Sequence, residues 1–150
     1  TLGMHSYSHQ YKEIYQSMDA FQADYERISN CLTAATGIKP LYYRFPGGST
    51  EVTEKLQMTD LDAYFNAQGA SYFDWNVIAA NNTTDDVSVN KMVDSVMNGV
   101  ALYDTSIVLM YDSVDRKMTA KSLDSILDYL LKNGYEILPI DENTIPIHHS

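Results

Sequence analysis

Residues 105–112, TSIVLMYD, contain an unbroken apolar run between polar residues. A run of this kind is typical of a strand that is buried on both faces, as strands are in a parallel sheet. An amphipathic helical pattern precedes it at residues 88–100, and a second one follows at residues 119–134. A strand between two helices predicts βα units, in which right-handed crossovers join parallel strands.

The same alternation extends over the rest of the chain. Helical spacing of apolar residues runs through residues 17–37 and 58–69, and both segments end at a glycine. Thr59 and Thr119 are the candidate N-caps of the helices in which they lie. Strand-like runs lie at residues 1–4, 39–46, 70–79, 105–112 and 135–141. The pattern predicts the α/β class, with a parallel sheet of roughly five strands joined by about four helices.

Composition limits the classes of protein to which the chain can belong. Its 150 residues are 45% apolar and 20% charged, as expected of one soluble globular domain with a buried core. No apolar run is long enough to cross a bilayer. The net charge of -10 would repel nucleic acid, whereas it is compatible with cations and neutral ligands. The single cysteine, Cys31, excludes an internal disulfide, and its place in a helical pattern predicts a buried or half-buried thiol.

Polar residues follow the ends of the predicted strands, where parallel α/β folds gather their chemistry. His5 and His9 follow the first strand, at a spacing of four residues that places two imidazole rings on one face of a helical turn. Such a pair indicates either two zinc ligands or a hydrogen-bonded turn, and a catalytic zinc usually has three protein ligands. The adjacent His148 and His149 are typical of an exposed tail.

Four short segments, taken in order, resemble the motifs of a known family. They are HSYSH at residues 5–9, RFPGGS at 44–49, FDWNV at 73–77 and IVLMYDS at 107–113. Together they resemble the polysaccharide deacetylases with a NodB homology domain, which form carbohydrate esterase family 4. The resemblance implies a distorted (β/α) barrel, a divalent metal that is commonly zinc, and hydrolytic removal of acetyl groups from sugars such as the N-acetylglucosamine of peptidoglycan or chitin. It also implies an extracellular or cell-surface location.

The resemblance assigns roles to residues in the first two of these segments. His5 and His9 would be metal ligands. Arg44 would orient a catalytic aspartate through a charge-assisted hydrogen bond, and an ordinary surface ion pair is the alternative. Pro46 and Gly47 would contact the substrate, and the Gly47 N–H would face the developing oxyanion. The alternative for Gly47 is a tight turn.

The later motifs contribute the remaining candidates. Trp75 and Leu109 would line a small apolar pocket for the acetyl methyl group, although the sequence alone places both in the core. Tyr111 and Asp112 belong to the fifth motif, which normally reads L-x-H-D, and both are assigned to the catalytic set. Tyr111 replaces the histidine that serves as general acid. A phenol has an unperturbed pKa near ~10, so it is a weaker proton donor at neutral pH than imidazolium.

The family's first motif, T-F-D-D, is absent from these 150 residues. Its aspartates supply the general base and the third metal ligand, so we expect that ligand to lie outside the chain. Residues 1–150 would then be the C-terminal portion of a single deacetylase domain, and their fold a partial NodB-type barrel without its first strands. Open sheet edges and an exposed apolar face predict a homo-oligomer.

Three functions are compatible with these observations. The first is metal-dependent deacetylation of an acetylated polysaccharide, with this chain as an inactive fragment of the enzyme. The second is a non-catalytic NodB-like relative that binds glycan or metal, which Tyr111 suggests. The third is an unrelated α/β binding module.

Overall fold

The structure is a computed structural model that describes residues 1–52, 56–79, 87–114 and 116–150. The chain forms two compact units, which are residues 1–74 with 141–150 (the first unit) and residues 75–140 (the second unit). In chain order, the helices and strands of the described ranges are β1 (Gly3–Met4), α1 (Tyr11–Ile14), α2 (Met18–Thr36), β2 (Tyr42–Tyr43), a 3-10 turn (Ser49–Glu51), α3 (Met58–Gln68), β3 (Ser71–Tyr72), β4 (Val77–Ile78), α4 (Val89–Val100), β5 (Val108–Leu109) and α5 (Lys117–Lys132).

The first unit is built on a parallel sheet in which β2 lies between β1 and β3. Tyr42 pairs with Gly3 on one side and with Ser71 on the other. Because the strands are parallel, their carboxyl ends meet at one edge of the sheet. The residues that follow β1 and β2, His5 and Arg44, therefore lie near each other at that edge.

Helix α2 supplies much of the core of the first unit. Its start and end agree with the sequence pattern, since the Ser17 hydroxyl accepts a hydrogen bond from the third residue of the helix, and Gly37 adopts a left-handed φ of 74° after its last turn. Phe21 and Tyr25 are buried on its inner face, with ring centroids 5.8 and 5.7 Å from that of Tyr43. Aromatic pairs at this separation contribute about 0.5–1.5 kcal/mol beyond the area that they bury.

The second unit has a two-stranded parallel sheet in which Val77 of β4 pairs with Val108 of β5. Val96 of α4 and Ile126 of α5 are buried with Val77 in one apolar cluster. Gly99 lets α4 approach β4 closely, because a Cβ atom at this position would lie 2.6 Å from Cγ1 of Val77. The amphipathic patterns of both helices are thus explained by packing within this unit.

Two of the predicted strands are wrong. Residues 70–79 are not one strand, because β3 and β4 belong to different sheets and Asp74 lies between them. The Asp74 N–H donates to the Ile147 carbonyl, whereas the Asn76 and Val77 N–H groups donate to the Ile107 carbonyl beside β5, so the backbone pairing changes after Asp74. Residues 135–141 contain no strand, and Leu138 is 74% exposed. Apolar composition alone does not make a strand when no neighbouring strand accepts its backbone hydrogen bonds.

Three local predictions also fail. Thr59 and Thr119 are not N-caps, because α3 already begins at Met58 and α5 at Lys117. Each threonine therefore lies inside the first turn of its helix. Cys31 is exposed rather than buried, since it lies on the solvent side of α2.

The predicted fold class is confirmed, since the described residues form a mixed α/β structure whose strand pairs are all parallel. Within the described ranges neither sheet closes into a barrel. None of the helices in these ranges is both long enough and apolar enough to span a membrane.

Candidate metal centre

Two histidine rings face each other directly after β1. The Nε2 atoms of His5 and His9 are 3.2 Å apart. His5 Nδ1 lies 2.8 Å from the carbonyl oxygen of Arg44. A carbonyl oxygen only accepts, so Nδ1 carries the proton and donates it. A neutral His5 therefore keeps its lone pair on Nε2, the atom that faces His9.

The separation of the two Nε2 atoms fits two ligands of one zinc ion. Zinc–nitrogen bonds of about 2.0–2.1 Å in a tetrahedral arrangement place ligand atoms roughly 3.3 Å apart. The bond from His5 to the Arg44 carbonyl is the kind of outer contact that orients a ligating histidine. The same spacing also suits a hydrogen bond from His9 to His5. No group of three or more His, Cys, Asp or Glu side chains that could hold a metal ion occurs among the described residues, so the third ligand stays a prediction.

The loop that carries the two histidines has an unusual backbone. Ser6 and His9 adopt positive φ angles of 66° and 55°. Such left-handed conformations cost about 1–3 kcal/mol for residues other than glycine and persist where surrounding contacts impose them. One of these contacts is local, since the Ser6 hydroxyl accepts from the His9 N–H at 2.9 Å.

A second contact comes from Asp24 of α2, which the sequence interpretation missed. Its two carboxylate oxygens accept from the N–H groups of Tyr7 and Ser8 at 2.8 and 2.9 Å. Burial alone would raise the pKa of the Asp24 carboxyl, but hydrogen bonds from the loop lower it below its usual value. The sequence did contain a signal for Asp24. A carboxylate on the same helix face as the buried Phe21 and Tyr25 needs hydrogen-bond donors from a neighbouring segment.

Arg44 is half-buried at the end of β2. Its N–H donates to the Met4 carbonyl at 2.9 Å, and its Nε donates to the Phe73 carbonyl at 3.2 Å. Burial lowers the pKa of the Arg44 guanidinium, and the negative charge of Asp74 opposes that shift. Hydrogen bonds thus join Arg44 to β1 on one side of β2 and to the residue after β3 on the other. The catalytic role of Arg44 stays a prediction.

Asp74 is fully buried and was not among the predicted site residues. Oδ1 accepts from the Ser49 N–H at 2.9 Å, and Oδ2 accepts from the Ser49 hydroxyl at 2.5 Å and from the His149 N–H at 2.8 Å. A buried carboxylate requires such donors. A charged residue inside the apolar segment 70–79 was the sequence signal that pointed to it.

The segment that contains His148 and His149 is bound within the first unit, so it is not a free tail, although both histidines are exposed. The Asp74 N–H donates to the Ile147 carbonyl at 2.7 Å. The His148 ring stacks on the Tyr72 ring, with centroids 3.9 Å apart and planes inclined by 13°. Residues 147–149 thus cover the edge of β3 and complete the hydrogen bonding of Asp74.

Pro46 and Gly47 lie in the turn after β2. Pro46 is buried, and its carbonyl accepts from the Tyr15 hydroxyl at 2.9 Å. Gly47 is exposed and has a φ of 80°. A Cβ atom there would lie 2.3 Å from Cγ of Glu51 and 3.1 Å from Cε2 of Tyr11, so only glycine fits without rearrangement. The turn explains this glycine, and substrate contact stays a prediction for both residues.

Four other predicted site residues lie in the second unit. Trp75 is half-buried just before β4. Leu109 is 8% exposed in β5, and its carbonyl accepts from the Ala79 N–H at 3.0 Å. Tyr111 is half-buried, with the guanidinium carbon of Arg116 5.9 Å from its ring centroid, and Asp112 is exposed. Their predicted roles stay predictions.

The fold and the histidine pair define a parallel α/β protein with a candidate metal centre at the carboxyl edge of its first sheet. The polysaccharide deacetylase family model matches residues 1–65. The catalytic domain of the peptidoglycan N-acetylglucosamine deacetylase from Eubacterium rectale is 31% identical, with a TM-score of 0.89 over 100% of this chain and 69% of that structure. The chain therefore belongs to the polysaccharide deacetylase family, and the predicted NodB-type fold is confirmed.

Two further solved structures share the fold. An esterase of carbohydrate esterase family 4 from Streptococcus mutans is 25% identical, with a TM-score of 0.78 over 91% of this chain and 61% of that structure. A polysaccharide deacetylase from Bacillus cereus is 20% identical, with a TM-score of 0.79 over 98% of this chain and 70% of that structure. The search of curated proteins returned no significant match.

Proposed function

We propose that this chain is part of a metal-dependent hydrolase that removes acetyl groups from an acetylated polysaccharide. The observation that carries the proposal is the 3.2 Å separation of the His5 and His9 Nε2 atoms, with the His5 Nδ1 proton already engaged by the Arg44 carbonyl. The similarity to a peptidoglycan N-acetylglucosamine deacetylase supports the N-acetylglucosamine of peptidoglycan or chitin as the substrate unit.

His5 and His9 are the residues of this chain that would hold the metal, and we propose zinc because two imidazoles at tetrahedral spacing suit it. When bound, zinc would activate water for hydrolysis and polarise the acetyl carbonyl. The backbone N–H of Gly47 would stabilise negative charge on the acetyl oxygen. Arg44 would orient the aspartate that serves as general base, which the family supplies from its first motif.

Zinc binding is the first test of this proposal. Residues 1–150 are titrated with zinc chloride by calorimetry, alongside His5→Ala, His9→Ala and the control His149→Ala. His149→Ala keeps the backbone N–H that Asp74 accepts. We expect both variants of the pair to lose zinc binding and the control to retain it. Equal zinc binding by all four proteins would exclude the pair as the metal centre.

Acetate release is the second test. Chito-oligosaccharide and peptidoglycan fragments are offered to the full-length protein and to residues 1–150. We expect zinc-dependent release from the full-length protein only, because the T-F-D-D motif is not in these 150 residues. Zinc-dependent release by residues 1–150 at the same rate would contradict this division of the site.

A second candidate function is a non-catalytic relative that binds glycan or metal, and the observation that favours it is Tyr111 at the position of the family's general acid. Tyr111→His in the full-length protein separates the two functions. A large gain in acetate release would indicate that the natural chain has lost its general acid and is non-catalytic. Unchanged release removes the reason for preferring a non-catalytic role.

A further inference from the structure

The loop of residues 5–9 receives little support from regular structure. β1 ends at Met4 and α1 begins at Tyr11, so no helix or strand includes either histidine. Two of the five loop residues, Ser6 and His9, have left-handed backbones. A loop of this kind needs contacts from elsewhere to keep a single conformation.

Helix α2 provides those contacts through one carboxylate. Asp24 binds the N–H groups of Tyr7 and Ser8 with separate oxygens, at 2.8 and 2.9 Å. Two consecutive loop residues, which lie between the two histidines, are therefore bound to one side chain.

A neighbouring residue of α2 reinforces this attachment. The guanidinium carbon of Arg27 lies 3.8 Å from the centre of the Tyr7 ring. A cation above an aromatic face at this distance is attracted to it. Asp24 thus anchors the backbone of the loop, and Arg27 covers the exposed ring beside it.

We propose that Asp24 is a positioning residue of the metal centre, because its carboxylate fixes residues 7 and 8 so that His5 and His9 face each other before a metal binds. Asp24 is not a ligand itself, and its effect reaches the metal through the loop. The inference rests on the proposed function, since it requires that the histidine pair binds a metal.

The experiment compares zinc affinities of residues 1–150 by competition with a chelator. Asp24→Asn removes the charge and one acceptor, and Glu26→Gln is the matched control, because it removes the same charge from an exposed position of the same helix. We expect Asp24→Asn to weaken zinc binding by about 10- to 100-fold, the usual effect of losing an outer contact of a metal site. We expect Glu26→Gln to change it by less than about twofold. Equal effects of the two variants would overturn the inference.

A second measurement separates this inference from the proposed function. Without zinc, hydrogen exchange of the Tyr7 and Ser8 amides is followed by NMR, together with the proximity of the His5 and His9 rings. We expect slow exchange and ring proximity in the wild type and the loss of both in Asp24→Asn. Wild-type protein that shows this order but binds no zinc would refute the metal function and leave the anchoring intact.

Fast exchange of the two amides in the wild type would refute the anchoring, even if zinc binds. This outcome needs no variant, so it decides the matter if Asp24→Asn does not fold. Asp24→Glu keeps the charge and moves it by one methylene. We expect this variant to recover part of the zinc affinity, and no recovery relative to Asp24→Asn would count against a positional role.

Discussion

Replacing Asp74 should destabilise the protein far more than replacing an exposed aspartate. Asp74 is 0% exposed and accepts three hydrogen bonds, from the Ser49 N–H, the Ser49 hydroxyl and the His149 N–H. In Asp74→Ala these donors lose their acceptor, and Arg44 loses the opposite charge that acts on it. Leaving a buried donor without its acceptor costs about 1–3 kcal/mol, so the loss of an acceptor shared by three donors should cost about 3–5 kcal/mol of unfolding free energy. Asp74→Asn keeps one acceptor oxygen, so we expect a smaller loss of about 1–3 kcal/mol.

The assays are urea unfolding and thermal unfolding, both followed by far-ultraviolet circular dichroism. For a chain of this size, a loss of 3–5 kcal/mol lowers the melting temperature by roughly 6–20 °C. The control is Asp128→Asn on α5, where the carboxylate is 70% exposed and pairs with Lys132 at 3.1 Å. An exposed pair at this spacing contributes about 0.3–0.5 kcal/mol. If Asp74→Ala loses less than about 1 kcal/mol, the buried network does not stabilise the fold as argued.

Four further predictions concern the first unit. Tyr15→Phe should lose about 0.5–1.5 kcal/mol of unfolding free energy, because the hydroxyl donates to the buried Pro46 carbonyl at 2.9 Å. Tyr25→Phe should leave the unfolding free energy unchanged or raise it, because the buried Tyr25 hydroxyl has no hydrogen-bond partner among the described residues. A loss of unfolding free energy equal to that of Tyr15→Phe in urea melts would contradict this contrast. Gly47→Ala should be less stable than Gly37→Ala in the same melts, since both have positive φ but only Gly47 would place a Cβ 2.3 Å from another side chain; equal melting midpoints would argue against the clash. The pKa of Asp24 is lowered in the folded state, so its stabilising effect is complete above the unfolded value of about 3.9 and is lost as pH falls through the lower folded value. Below about pH 4 the wild type should therefore lose unfolding free energy more steeply than Asp24→Asn, and parallel pH profiles would show that Asp24 does not contribute.

The sequence predicted helices more accurately than strands. Helix α2 agrees with its prediction at both ends, because its period, its Ser17 cap and its Gly37 stop are all local features. The start of α5 was misplaced, because Thr119 resembles a cap equally well inside or before the first turn. Strands depend on a partner, and for this reason residues 135–141 have the composition of a strand without its structure.

In the candidate site, too, local features could be predicted from the sequence and contacts between distant segments could not. The family motifs predicted His5, His9 and Arg44 as site residues from order and spacing alone. The motifs did not single out Asp24, which binds the histidine loop from 17 residues along the chain. They also did not show that the Asp74 carboxylate accepts a hydrogen bond from the backbone N–H of His149, which lies 75 residues away in the sequence.

The sequence by itself determined the α/β class, the helices that end in left-handed glycines, and the resemblance to the polysaccharide deacetylase family. Each of these follows from periodicity, capping or short motifs, which are properties of neighbouring residues. Only the tertiary structure decided that the two imidazoles face each other and that Asp24 and Asp74 hold the surrounding backbone. These contacts join segments distant in sequence, and hydrogen bonds act only over about 3 Å, so chain packing sets them.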